Sequence, residues 1–190
     1  RLIRTTYYIQ EAMAFGAWLY FFIVVENAGG ERALALSNIV RQLGAVLFLF
    51  VHAFGSAAGT IAANYAGAGK PEWIRPMASL ALRLCALALL PFFLCFTLFP
   101  SLVLGILTDL PEVISDAKPS FYVMVLAYAL TTPAYLYFFV IGALGFAKES
   151  FRMTVTAVAA YGVYIAVLNL FTPPTAVYWS AWVFLLWHDA

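Results

Sequence analysis

"TTYYIQEAMAFGAWLYFFIVV", residues 5–25, decides how the rest of the chain is read. It is long, apolar and aromatic, and it carries one carboxylate, Glu11, beside Gln10. As a helix rising 1.5 Å per residue it measures roughly 31 Å, enough to cross the hydrocarbon core of a bilayer. Glu11 then lies roughly 9 Å past the segment start, too deep for a short side chain to reach the interface easily. Ionised, it needs a partner. Unpaired, it is expected to hold its proton near neutral pH, because desolvation penalises the charged form. That behaviour suits a carrier coupled to protons. With neighbouring oxygens the same carboxylate suits Na⁺, a hard cation. The competing readings are a structural pair, or a span boundary that leaves Glu11 among the headgroups. Acids at membrane depth mark functional sites by default, so function is favoured.

The rest of the composition agrees with a membrane location. Sixty-five per cent of the 190 residues are apolar and ten per cent charged, too little polar surface to cover a soluble core. The expected fold is an all-α membrane protein, a bundle of six transmembrane helices forming a single lobe over residues 1–190. The expected spans are about 5–25, 33–65, 77–99, 121–146 and 153–171, with a short sixth at 176–187 that reads as truncated. The connections are "ENAGGER", "AGAGKPEWIRP", "TDLPEVISDAKPS", "AKESFR" and "TPPT", where Gly, Pro and charged residues cluster. "SLVLGILTD" is too short to span and is expected in the interface. The chain starts at Arg1 and reads as a piece of a longer polypeptide.

Net charge is +1, so no basic field argues for nucleic acid. Arg1, Arg4, Lys70, Arg75, Arg83, Lys148 and Arg152 fall on one side of the expected topology. The other side has Arg32 and Lys118 with Glu26, Glu31, Asp109, Glu112 and Asp116. The positive-inside rule therefore predicts a multi-pass protein of the cytoplasmic (inner) membrane with both ends of the lobe in the cytoplasm. Cys85 and Cys95 lie roughly 15 Å apart along one helix, too far for a disulfide.

Two further clusters carry chemistry. Asn38, Arg41 and Gln42 are spaced i, i+3, i+4 and share one helix face, which must look into the bundle or a wet cavity. Arg41 is the natural candidate to pair with Glu11; the alternative is packing glue between helices. In "AYALTTPAYLYFF", Tyr128, Thr131, Thr132 and Tyr135 form a hydroxyl and aromatic stripe. Such a stripe suits a cleft that holds flat lipophilic cations by stacking and cation–π contact. Pro133 cannot donate to the carbonyl of Ala129 and is a candidate hinge, which Thr, Tyr or water must help to satisfy. A proline kink with ordinary packing is the plainer reading of this segment. Gly55 and Gly59 form a GxxxG pair for close helix approach. His52 and Ser56 sit one turn apart without the third group a serine nucleophile needs. No metalloprotease, phosphate-loop or dinucleotide motif occurs, so neither an enzyme nor a resident cofactor is expected, and no metal site.

The order of several segments resembles a known family. Glu11 in the first span is followed by "ALALSNIVRQLG", "FGSAAGTIAANYAGAGK", "LTDLPEV" and "GALGFAKES". Together they look like the C-terminal half of a multidrug and toxic compound extrusion (MATE) transporter, over nearly all the chain. The resemblance implies one six-helix lobe of a twelve-helix protein, with an N-terminal six-helix lobe as its partner and membrane lipid around it. It implies a secondary antiporter that exports organic cations and other xenobiotics in exchange for H⁺ or Na⁺. Glu11 matches the carboxylate implicated in cation coupling in the Na⁺ branch, and Asn38 an amide common at the start of the second span. That branch also has an Asp where this chain has Ala134, so the resemblance points to H⁺, or to coupling residues in the other lobe. Arg41 matches no charged position there.

The reading is thus an alternating-access antiporter lobe with Glu11 as coupling residue. Asn38, Arg41, Gln42, Tyr128, Thr131 and Tyr135 are its expected cleft. One alternative is a lipid-linked oligosaccharide flippase of the same superfamily, which would want more cations than Arg41 to bind phosphate. Another is a membrane scaffold that transports nothing.

Overall fold

The computed structural model describes residues 2–170. The side chains of residues 2–7, Glu11, Ala147 and Asn169 lie outside what it describes, and so do residues 171–190, including the expected sixth span. The described chain is built of α1 (Leu2–Gly67), a 3₁₀ turn (Pro71–Trp73), α2 (Ile74–Leu98), α3 (Pro100–Gly105), α4 (Pro111–Ala143) and α5 (Ala147–Asn169). No strand occurs among the described residues. Four of these helical segments are long and apolar enough to cross a membrane: Tyr8–Gly67, Pro71–Leu98, Pro111–Ala143 and Lys148–Leu168. The chain is a multi-pass, all-α membrane protein.

A single residue turns α1 into a hairpin. Gly30 has φ 66° and ψ −165°, a backbone state that essentially only glycine adopts, and the helix resumes immediately after it. The two arms fold back on each other, because the Arg41 guanidinium lies 5.9 Å from the centre of the Phe22 ring. In a continuous helix those two residues would be roughly 28 Å apart. The expected seven-residue connection "ENAGGER" is therefore helical up to and after one glycine. Asn27 and the acids Glu26 and Glu31 are exposed there, so these helix ends are polar because they leave the bilayer. The same explains α4 starting at Pro111, ten residues before the expected 121, and α5 starting at Ala147 within "AKESFR". Proline at the first position of α4 loses no helix hydrogen bond.

The second arm of α1 and α4 form the spine, and they run parallel in constant register. Arg32 pairs with Asp116, 84 residues further on. Gly44 faces Tyr128 and Gly59 faces Ala143 at the same separation. Gly59 is what lets the two backbones meet. A Cβ there would lie 3.0 Å from the Phe139 carbonyl oxygen and 3.1 Å from the Ala143 Cβ. A Cβ on Gly55 would strike the Phe139 ring at 2.5 Å. Close approach replaces a hydrophobic driving force that lipid cannot supply between helices. The buried core runs through Phe21, Val25, Leu36, Val40, Leu47 and Val51 of α1, Cys85 and Leu89 of α2, and Phe121, Met124, Leu136 and Val140 of α4. Cys85 and Cys95 are both free, the first buried and the second exposed.

The peripheral helices show the lipid side. On α2, Leu80, Leu84, Leu87, Leu90, Leu94 and Leu98 are all exposed, a leucine stripe suited to hydrocarbon. The short α3 buries Val103 and Leu104 and leaves Leu102 exposed, and Ile106 just past its end is exposed too. The parallel spine also sorts the charges. The connections at residues 68–73 and 144–146, with Lys70, Arg75, Lys148 and Arg152, sit at one end. Arg32, Glu112 and Asp116 cluster at the other.

Candidate functional site

The exposed face of the second arm of α1 differs in kind from the leucine stripe of α2. It presents Arg41, Gln42, Ala45, His52, Ala53, Ser56, Ala57 and Thr60, with Val46 and Leu49 as its large apolar members. Polar and small side chains in such a stretch face protein or water rather than lipid. The sequence places Asn38, Arg41 and Gln42 on one face; in the fold Asn38 is half-buried while Arg41 and Gln42 are exposed.

Helix α4 lines this face with aromatic rings. Tyr128 covers Gly44: a Cβ there would meet its ring at 3.0 Å and its hydroxyl oxygen at 3.4 Å. One to two turns further, Phe48 meets Tyr135 edge-on with ring centres 5.7 Å apart. His52 stands between Phe48 at 5.9 Å and Phe139 at 5.1 Å. The resulting ladder of Tyr128, Phe48, Tyr135, His52 and Phe139 runs along the edge of the polar face. Of the expected stripe, Tyr128 and Tyr135 lie on this ladder, half-buried. Thr131 is buried, and its hydroxyl has no hydrogen-bond partner among the described residues. Near Pro133, the Thr132 hydroxyl donates to the Tyr128 carbonyl at 2.6 Å, one residue before the carbonyl that the proline leaves unpaired. Ala134, where the resemblance would place a second carboxylate, is half-buried on the same helix.

Glu11 lies on the first arm of α1, with its side chain outside the described residues. Its backbone position is nevertheless informative. Arg41 is level with Phe22, eleven residues from Glu11, a distance along the axis of roughly 16 Å. The expected pairing of Glu11 with Arg41 is therefore a misfit of depth: antiparallel arms put Glu11 at about the level of His52. Gln10, next to Glu11, does make a described contact. Its amide donates to Ser150 Oγ at 3.0 Å and to Thr154 Oγ1 at 3.1 Å on α5. Thr154 in turn donates to the Ser150 carbonyl at 3.1 Å. Ser150 is buried, so this is an internal polar tie between the first arm and α5. The sequence signal for it was the amide beside the acid, together with hydroxyls one turn apart at 150 and 154.

Arg41 has no acidic partner among the described residues, where the ion pairs belong to Arg32 and Arg152. No group of three His, Cys, Asp or Glu side chains able to hold a metal occurs among the described residues. His52 and Ser56 share no hydrogen bond; the Ser56 carbonyl accepts from Thr60 at 3.0 Å.

With this geometry in hand, comparison with known proteins gives one result. The family model described as MatE matches residues 12–170, most of the chain. No curated protein and no solved structure gives a match.

Proposed function

The chain belongs to the MatE family, which makes it a transporter domain rather than an enzyme, and from that premise we propose that it is one lobe of a secondary antiporter. It exports lipophilic organic cations across the cytoplasmic membrane, with both ends of the lobe in the cytoplasm, in exchange for H⁺ or Na⁺. The observation that carries this reading is the polar, small-residue face of the second arm, edged by aromatic rings at membrane depth. A cation with a flat apolar body gains stacking and cation–π attraction on such rings while the polar face keeps the path wet. Glu11 is the coupling residue. An acid within a span is neutral when protonated and needs water or a cation when ionised. The two states of a transporter shift only by differential affinity, so protonation that favours one state drives cargo the other way. Ala134 in place of a second carboxylate favours H⁺ over Na⁺. Pro133 gives α4 a point at which to bend between states.

The test is transport by the complete protein in proteoliposomes. A pH gradient is expected to drive uphill movement of a fluorescent lipophilic cation, and a sodium gradient alone is not. Movement indifferent to both gradients would reject antiport. The flippase reading draws on Arg41 alone; loss of complementation in a flippase-null strain on Arg41→Ala would favour it.

A further inference from the structure

We propose that α2 carries a binding site for an anionic phospholipid on its lipid-facing side, with Arg83 holding the headgroup phosphate and the leucines beyond it holding an acyl chain. The site lies on the lipid side of the bundle and stands apart from what the lobe transports.

Arg83 interrupts the leucine stripe. Leu80, Arg83, Leu84 and Leu87 are spaced i, i+3, i+4, i+7 and all four are exposed, so the guanidinium shares the face that meets hydrocarbon. A cation on such a face is costly unless water or an anion accompanies it. No acid among the described residues pairs with it; the ion pairs there belong to Arg32 and Arg152. One turn away on α2 stand Ser79, Leu80, Ala86 and Leu87, and Glu72, before the helix, is roughly 17 Å off along the axis.

Depth indicates what the charge meets. The Phe50 and Phe92 rings lie 4.8 Å apart. Helix α2 returns antiparallel to the second arm from the turn at Pro71–Trp73. Arg83, nine residues nearer that turn than Phe92, is therefore level with about Gly59, which packs against the Ala143 end of α4. Helix α4 stops there, and the exposed Lys148, Glu149 and Arg152 follow at the start of α5. A helix end with clustered charges marks a headgroup level. The Arg83 side chain also leans toward the N-terminus of α2, away from the membrane centre. In the other direction Leu84, Leu87, Leu90 and Leu94 continue the exposed stripe for roughly 15 Å, about half the hydrocarbon core and so the depth of one leaflet. A phosphate accepts from a guanidinium in the two-pronged geometry that suits arginine, while its acyl chain lies along the leucines. Phosphatidylcholine brings its own cation to that phosphate; an anionic lipid does not, and is preferred.

The test uses the complete protein in phosphatidylcholine nanodiscs doped with increasing phosphatidylglycerol. Native mass spectrometry counts the lipid retained, and the melting temperature follows its binding. The wild type is expected to retain one phosphatidylglycerol more than Arg83→Leu. Stabilisation of Arg83→Leu is expected to need about fivefold more of that lipid, the effect of one basic residue beside an anionic headgroup. Arg83→Lys should keep part of the effect. Arg75→Gln, on the opposite side of α2 from Leu84, and Lys148→Gln on α5 should leave the retained lipid unchanged. Equal retention and equal stabilisation in the wild type and Arg83→Leu overturn the site. A loss as large on Arg75→Gln also overturns it, because the attraction is then a diffuse surface field. So does stabilisation reproduced by inorganic phosphate in phosphatidylcholine alone, since no acyl chain is then needed. Should Arg83→Leu fail to assemble, Arg83→Gln gives the same comparison. The readings need no cargo and no ion gradient, so failure of the antiport reading leaves them intact.

Discussion

The side-chain amide of Gln10 lies 3.0 Å from Ser150 Oγ, tying the first membrane arm to the last described helix at the residue next to Glu11. Two hydroxyls share that amide, Ser150 and Thr154. Interhelical hydrogen bonds in membranes contribute roughly 0.6 kcal/mol each on average. Gln10→Ala is therefore expected to destabilise the protein by about 1 kcal/mol. Thermal unfolding in detergent checks it, with Ser150→Ala giving a smaller loss in the same direction. An unchanged midpoint for Gln10→Ala would mean that the tie is not formed.

Gly59 should be far less tolerant than Gly162. An added methyl at Gly59 meets the Phe139 carbonyl oxygen and the Ala143 Cβ, while at Gly162 it meets nothing within 4 Å. Overpacking typically costs about 1–3 kcal/mol. Gly59→Val is expected to lose that much, and Gly162→Ala to be neutral or slightly stabilising. Gly55→Ala should fall between them, because the obstacle there is the Phe139 ring, which can turn, and not backbone.

The two exposed faces should differ in their contact with water. Ala45→Cys and Ala53→Cys, on the polar face of α1, are expected to react with a membrane-impermeant maleimide in the complete transporter. Leu84→Cys and Leu87→Cys, on the leucine stripe of α2, are expected to stay unlabelled until the membrane is dissolved. The reverse pattern would place lipid against Arg41, which its charge makes costly.

How far these features were readable in the sequence depended on what kind of information each one needs. Period is local, so the shared face of Asn38, Arg41 and Gln42 and the stripe from Tyr128 to Tyr135 were visible. The neighbour a stripe meets is not local. Only the parallel register of the second arm with α4 puts Tyr128 on Gly44 and leaves Thr131 buried. Polar runs suggest loops, and "AKESFR" shows why that fails: α5 already begins at Ala147, and Ser150, inside the expected connection, is a buried partner of Gln10. The turn is marked in the sequence by "ENAGGER", yet its tightness follows from the φ of one residue, Gly30. Depth misled the expected Glu11–Arg41 pair, because antiparallel arms bring Phe22, and not Glu11, level with Arg41.

Pro133→Ala restores a backbone donor in the middle of α4, beside the Thr132 hydroxyl that already bonds the Tyr128 carbonyl. Folding should be unharmed or slightly improved, since proline in a helix interior costs about 3 kcal/mol where nothing compensates. Turnover should fall several-fold with cargo affinity held within about twofold, the signature of a conformational step that has become harder. Equal losses in binding and turnover would instead make Pro133 part of the cargo wall.

The coupling role of Glu11 is tested most directly by Glu11→Gln in the complete transporter, reconstituted with an imposed pH gradient. Glutamine keeps the size and hydrogen-bonding reach of the protonated acid but cannot lose a proton. Cargo binding at equilibrium is expected to survive, while uphill, gradient-driven export disappears. Export that continues against a cargo gradient at the wild-type rate, with equal expression, would contradict the account.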